Sequence, residues 1–166
     1  VLFGYSGGDR MILYLTSRKN NDLLDFLDEK GILIKKLEGD INFKNFVVND
    51  VKNIDHYSYV IVDLEALQDS ENDLIDSLIA FKKMYMPKLV LIANSATKLL
   101  KNRIVKEAEE YNLILSSQYP EVKNEIEMCI FDGKKYKEKI IKRNKECYKY
   151  CYIFISRYWS KCQLHI

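Results

Sequence analysis

The stretch Tyr59-Val60-Ile61-Val62-Asp63 decides the fold, because four strand-forming residues lead directly into a carboxylate. The four residues are apolar without alternation, which is typical of a strand that a parallel sheet buries on both faces. Leu89-Val90-Leu91-Ile92 has the same character farther along the chain. We therefore predict a central strand over residues 57–64 and a neighbouring strand over residues 89–93.

Segments with helical periodicity alternate with short apolar segments on both sides of this centre. The predicted helices cover residues 20–30, a short stretch around residues 43–47, residues 71–85, residues 97–111, and a last segment that begins at Pro120. The predicted outer strands cover residues 11–16, 32–37 and 113–115. Parallel strands need crossover connections, and right-handed crossovers place helices on both faces of the sheet. We predict an α/β, flavodoxin-like three-layer sandwich with a five-stranded parallel sheet in the order 2-1-3-4-5.

Composition places few further limits on the chain. Its 166 residues, 48% of them hydrophobic, suffice for one packed domain without disulfide bonds. No apolar run approaches the roughly 20 residues that span a bilayer, so we predict no membrane span and a cytoplasmic location. The cysteines, which all lie in the last quarter of the chain, are interpreted as reduced thiols: Cys129, Cys147, Cys151 and Cys162.

Charge is distributed unevenly along the chain. The net charge is +2, but residues 132–161 contain ten Lys or Arg against three Asp or Glu, which leaves the body acidic. We interpret the basic segment as a solvated helix or linker. Contact with nucleic acid through this tail is the alternative, because basic segments attract phosphates.

Polar residues follow the two central strands at the sheet edge where ligands bind in such folds. Asp63 follows the third predicted strand and Ser95 follows the fourth. This pattern resembles the receiver domains of response regulators, and the resemblance covers about residues 11–131. In that family the aspartate accepts a phosphoryl group and the Ser or Thr after strand four contacts it. The resemblance therefore makes Asp63 and Ser95 the candidate phosphoacceptor pair.

The chain departs from the receiver pattern at two other positions. Receivers carry an acidic pair after strand one to hold Mg²⁺, and this chain has Thr16-Ser17-Arg18-Lys19 there. They also carry a lysine after strand five, where this chain has residues 116–120, Ser-Ser-Gln-Tyr-Pro. Phosphoryl transfer requires a divalent cation and positive side chains around the developing charge. We expect a pseudo-receiver with no catalytic residues, with the phosphoacceptor receiver as the alternative.

Further candidate sites are weaker. Glu65, Asp69 and Glu71 follow the third strand and are interpreted as a solvated loop and helix start, although an acidic pocket is the alternative. The set Cys147, Cys151, Cys162 and His165 has zinc-binding residue types at an unusual spacing and is interpreted as free thiols. His56 stands alone beside a strand. No glycine-rich phosphate loop is present in the body, so we predict no cofactor and no metal.

Both ends differ in character from the body. Residues 1–10 contain three of the six glycines, and Ser6-Gly7-Gly8-Asp9 can be encoded by a bacterial ribosome-binding sequence shortly before Met11. We interpret residues 1–10 as a non-native upstream extension, with a genuine flexible terminus as the alternative. We interpret residues 132–166 as a basic linker followed by an atypical tail.

The tail suggests a frame error. Codons can be chosen for residues 149–163 that, shifted by one nucleotide, encode an apolar strand, a glycine loop and a hydroxyl residue. An ordinary amphipathic tail is the alternative. With that shift, the layout resembles ParA/MinD-type ATPases that carry a degenerate receiver-like domain ahead of the P-loop domain. The resemblance implies that this fragment is the non-enzymatic N-terminal part of a larger ATPase.

The functional hypothesis that these features favour is a protein-interaction or self-association module. Every predicted apolar face is complete by Phe131, so residues 11–131 should fold alone. Receivers commonly pair through the face equivalent to residues 97–131, and we therefore expect a homodimer or a protein partner there, ahead of nucleic acid.

Overall fold

The computed structural model describes residues 10–50 and 53–146 of the chain, apart from the side chain of residue 50. The strands are β1 (Met11–Thr16), β2 (Leu33–Glu38), β3 (Tyr59–Asp63), β4 (Lys88–Ile92) and β5 (Leu113–Ile114). All neighbouring strands are parallel, and their order is β2-β1-β3-β4-β5. The predicted flavodoxin-like α/β fold is confirmed.

The described residues form five α-helical segments, besides several short 3₁₀ turns. They are α1 (Phe43–Asn45, continued by a π-helical turn at Phe46–Asp50), α2 (Glu71–Met84), α3 (Lys98–Glu107), α4 (Tyr119–Phe131) and α5 (residues 133–146). Side-chain hydrogen bonds cap the N-terminal ends of α2 and α3. The Ser70 hydroxyl accepts a hydrogen bond from the Asp73 backbone at the start of α2, and Thr97 does the same for Leu100 at α3.

The sheet separates two apolar layers. On one face α1, α2 and α3 pack against residues such as Leu15, Val62 and Leu91. On the other face α4 and α5 pack against Ile61 and Ile92. Successive side chains of β3 and β4 lie alternately in one apolar layer and in the other. Both faces of these strands are therefore buried, which explains why apolar and polar residues do not alternate in them.

The predicted helix over residues 20–30 is wrong in type. The chain forms 3₁₀ turns at Arg18–Asn20 and Asp25–Lys30, separated by irregular turns. The carbonyl of Asn20 accepts a hydrogen bond from the Tyr14 hydroxyl and its side chain donates to Asp63. These tertiary contacts hold Asn20 in place and override the helical periodicity. Gly31 ends the segment with φ of 72°, as its position predicts.

The predicted linker after residue 131 differs from the structure. Residues 133–146 are helical, and Tyr136 and Ile140 lie one turn apart in the core of the α4 face. Both side chains are almost fully buried. Only these two residues form the buried apolar face of the helix, and the many lysines around them make that face hard to recognise in the sequence. The apolar core is therefore not complete at Phe131.

Several predictions concern residues outside the described ranges. One is the predicted extension over residues 1–10, of which the structure describes Arg10 alone. The others are the tail from residue 147 onward and the frame-shift interpretation that depends on it. Within residues 10–50 and 53–146, no helix is long and apolar enough to cross a membrane.

Candidate functional site

Asp63 lies at the carboxyl end of β3 and is completely buried. Its Oδ2 atom accepts hydrogen bonds from the Ser17 hydroxyl and the Asn20 side-chain amide, each over 2.8 Å. Its Oδ1 atom accepts one from the Glu65 backbone amide over 3.0 Å. Both carboxylate oxygens are therefore occupied by donors from the chain itself.

The donors around Asp63 are neutral and held in place. A carboxylate removed from water needs hydrogen bonds to offset its lost hydration. Tyr14, buried beneath the site, donates its hydroxyl to the Asn20 carbonyl over 2.8 Å and so fixes the residue that reaches Asp63. Burial raises the pKa of the Tyr14 phenol still further above neutral pH. The result is a closed network that links β1, the following turn and β3.

The two cations after β1 are directed to other carboxylates. Arg18 lies 3.7 Å from Glu38 and Lys19 lies 3.6 Å from Glu65. The side chains of Arg18 and Lys19 are 91% and 77% exposed, so these ion pairs contribute little to stability. The end of β1 thus supplies Asp63 with a hydroxyl and an amide instead of metal-binding acids.

Ser95 does not join the Asp63 network. It is exposed in the turn that follows β4, whereas Asp63 is buried. Among the described residues, the hydrogen bonds of the Asp63 side chain go to the β1 end and to Glu65. The two residues of the candidate phosphoacceptor pair are at the predicted edge, but the structure gives them no shared hydrogen bond.

The three acidic residues after β3 hold local structure. Glu65 faces Lys19, and Glu71 lies 3.7 Å from Arg103. Asp69 accepts hydrogen bonds from the backbone amides of residues 43 and 44, over 2.7 and 2.9 Å, at the start of α1. They do not form an acidic pocket.

A buried carboxylate that sequence analysis missed holds the segment after β5, where receivers carry a lysine. Glu125 of α4 accepts hydrogen bonds from the backbone amides of Leu115 and Ser116 and from the Ser116 hydroxyl, over 2.8 to 3.2 Å. It is 6% exposed. The available signal was its place on the apolar face between Val122 and Ile126, where an acid is unusual.

The remaining predicted residues do not form a metal cluster in the described part of the chain. No group of three or more His, Cys, Asp or Glu there is placed to hold a metal ion. His56 is exposed, and Cys129 is a buried free thiol. The possible zinc ligands Cys147, Cys151, Cys162 and His165 lie outside the described residues.

The predicted partner face over residues 97–131 is partly covered by α5. The buried Tyr136 hydroxyl donates to the Leu113 carbonyl of β5. The Lys137 ammonium lies 4.7 Å from the centre of the Tyr111 ring. A surface made by α3 and α5 therefore lies beside β5, in place of an open α3–β5–α4 face.

We compared the chain with protein-family models, with curated proteins and with solved structures, and none of them matches. The functional proposal therefore depends on the geometry around Asp63 and on the α3–α5 surface.

Proposed function

We propose that this chain is a receiver-like module without phosphoryl-transfer activity that acts by binding another protein. The observation that carries the proposal is that both carboxylate oxygens of Asp63 accept hydrogen bonds from the chain itself. A phosphoacceptor must present an oxygen to the incoming phosphoryl group beside a bound cation. In this chain Ser17, Asn20 and Glu65 already occupy both oxygens. We assign Asp63 a structural role, which is to join the β1 turn to β3.

The α3–α5 surface supports a protein partner over a second copy of the chain. α3 contains four Lys or Arg and one Glu, and residues 133–146 contain seven Lys or Arg and two Glu. A two-fold dimer would place this surface against itself, and like charges facing each other disfavour association. The homodimer expected from sequence is therefore our second candidate.

The link to a ParA/MinD-type ATPase stays a prediction. The nucleotide sequence across and beyond codons 145–166 tests it.

The non-catalytic part of the proposal is tested by NMR on isotopically labelled protein. The backbone amides of Ser17 and Glu65 and the side-chain amide of Asn20 report directly on the Asp63 carboxylate. We expect their resonances to stay unchanged when Mg²⁺ and acetyl phosphate are added. Saturable shifts of these three signals that disappear in Asp63→Asn would contradict the proposal.

A further inference from the structure

A groove runs between α3 and α5 beside the end of β5. Its main cavity has a volume of about 340 Å³ and lies between Lys98 and Lys101 of α3 and Arg143 of α5. A second cavity of about 200 Å³ shares Asn102 and Asn144 with the first and extends the groove along both helices. The groove therefore has walls from two helices that sequence analysis placed in different units.

Every charged side chain that lines the groove is cationic. Lys98, Lys101 and Arg143 line the main cavity, and Lys106 and Lys145 line its extension. Among the described residues, no carboxylate forms an ion pair with Lys98, Lys101 or Arg143. Cations gathered on two facing helices repel one another, and a bound anion relieves that repulsion.

The floor of the groove is apolar. Val105 and Leu115 are half-buried there, next to the buried side chains of Leu113 and Ile140. Sites for single-stranded nucleic acid combine a basic track with aromatic platforms on which bases stack. Tyr111 lines the extension of the groove, but a lysine ammonium already lies 4.7 Å from its ring centre. The aliphatic floor of the main cavity, between basic walls, complements an apolar side chain that has carboxylates on either side.

We propose that the α3–α5 groove binds an acidic segment of a partner protein, with one apolar side chain of the segment on Val105 and Leu115. The flanking carboxylates pair with Lys98, Lys101 and Arg143. This inference rests on the proposed function, because it specifies the chemistry of the protein partner. Screening by salt should weaken the contact, since its charges are at the surface.

Fluorescence anisotropy on the full chain tests the groove with short labelled peptides. The first peptide contains glutamates around a central leucine, and the second has serine in place of the leucine. Single-stranded DNA of equal length is the third probe. We expect the first peptide to bind at low salt, and to bind more tightly than the other two probes. Lys101→Glu with Arg143→Glu should weaken its binding by at least about tenfold.

Lys35→Glu is the control for a charge reversal away from the groove, because Lys35 is exposed on β2 at the opposite edge of the sheet. It should leave peptide binding unchanged. NMR mapping on the unmodified protein keeps the test decisive if the double variant does not fold. The amides of Val105, Leu115 and Asn144 should then shift with the first peptide.

Three results would overturn the groove assignment. They are the absence of peptide binding at low salt, equal weakening in Lys35→Glu, and tighter binding of DNA, which would make the groove a nucleic-acid site. If the peptides fail while Asp63 stays inert to acetyl phosphate, the groove assignment falls and the non-catalytic module remains. If Asp63 accepts a phosphoryl group, the proposed function itself fails.

Discussion

The side-chain amide of Asn20 donates a hydrogen bond to the buried carboxylate of Asp63 over 2.8 Å. This contact places a neutral donor in the position where phosphoryl transfer would need a cation. It also explains why the segment after β1 turns instead of continuing as a regular helix. A single pair of side chains thus accounts for both the local structure and the proposed loss of chemistry.

Replacing Asp63 should destabilise the fold, because Ser17, Asn20 and Glu65 would each lose a hydrogen bond that joins the β1 turn to β3. We expect Asp63→Ala to lower the free energy of unfolding by about 3 kcal/mol, and Asp63→Asn by less, since the amide oxygen still accepts hydrogen bonds. Urea denaturation measures both. Asp40→Ala, at an exposed carboxylate, is the control and should change stability little. Equal stability of Asp63→Ala and wild type would remove the structural role of this carboxylate.

Tyr136 should anchor α5 to the sheet. Tyr136→Phe removes the buried hydrogen bond to Leu113 and should cost about 1 kcal/mol. Tyr136→Ala also empties a core position and should cost about 4 kcal/mol. Tyr119→Phe, at a tyrosine that is 52% exposed, is the matched control. Thermal unfolding measures the effect. If Tyr136→Ala unfolds at the same midpoint temperature as wild type, α5 does not stabilise the fold, and the sequence prediction that residues 11–131 fold alone would stand.

Glu110 should make stability depend on pH. Its carboxylate is buried, accepts hydrogen bonds from the backbone amides of Tyr111 and Asn112 over 3.0 Å, and lies 3.7 Å from the Lys82 ammonium. Burial raises the pKa of Glu110 in the folded state. The folded state therefore favours the protonated acid, and this contribution to stability is present at acid pH and is lost as pH rises through the raised pKa.

The comparison of wild type with Glu110→Gln isolates this effect. The free energy of unfolding of wild type, relative to that of the variant, should fall as pH rises from the ordinary carboxyl range. Glu109→Gln, at the exposed neighbouring residue, controls for the change in net charge. A difference between wild type and Glu110→Gln that stays constant with pH would show that the folded and unfolded states bind this proton equally.

The chain should sediment as a monomer at physiological ionic strength. The basic α3–α5 surface disfavours contact with a copy of itself, and α5 covers part of the face that would otherwise pair. Sedimentation velocity over a wide range of protein concentration checks this. A reversible dimer that Lys101→Glu alters would restore the pairing expected from sequence.

Much of the fold could be predicted from local patterns. The continuous apolar runs of β3 and β4 identify strands buried on both faces, and Ser70 and Thr97 mark the starts of α2 and α3. Gly31 marks the end of the first helical segment because only a residue tolerant of positive φ fits there.

The remaining features depend on contacts between distant residues. Nothing local indicates that Asn20 bonds to Asp63, or that Glu125 reaches the end of β5, since these pairs form only after the strands align. The packing of α5 into the core was missed because its two buried side chains, Tyr136 and Ile140, lie among many lysines. The candidate site could be located from sequence, but the hydrogen bonds that both Asp63 oxygens accept could not be predicted.

Intact-mass analysis after incubation with acetyl phosphate and Mg²⁺ tests the central claim most directly. With both Asp63 oxygens occupied by Ser17, Asn20 and Glu65, we predict that the protein keeps its original mass. An active receiver domain under the same conditions is the positive control. A stoichiometric phosphoryl adduct that is absent in Asp63→Asn would contradict the account and make the chain a working phosphoacceptor.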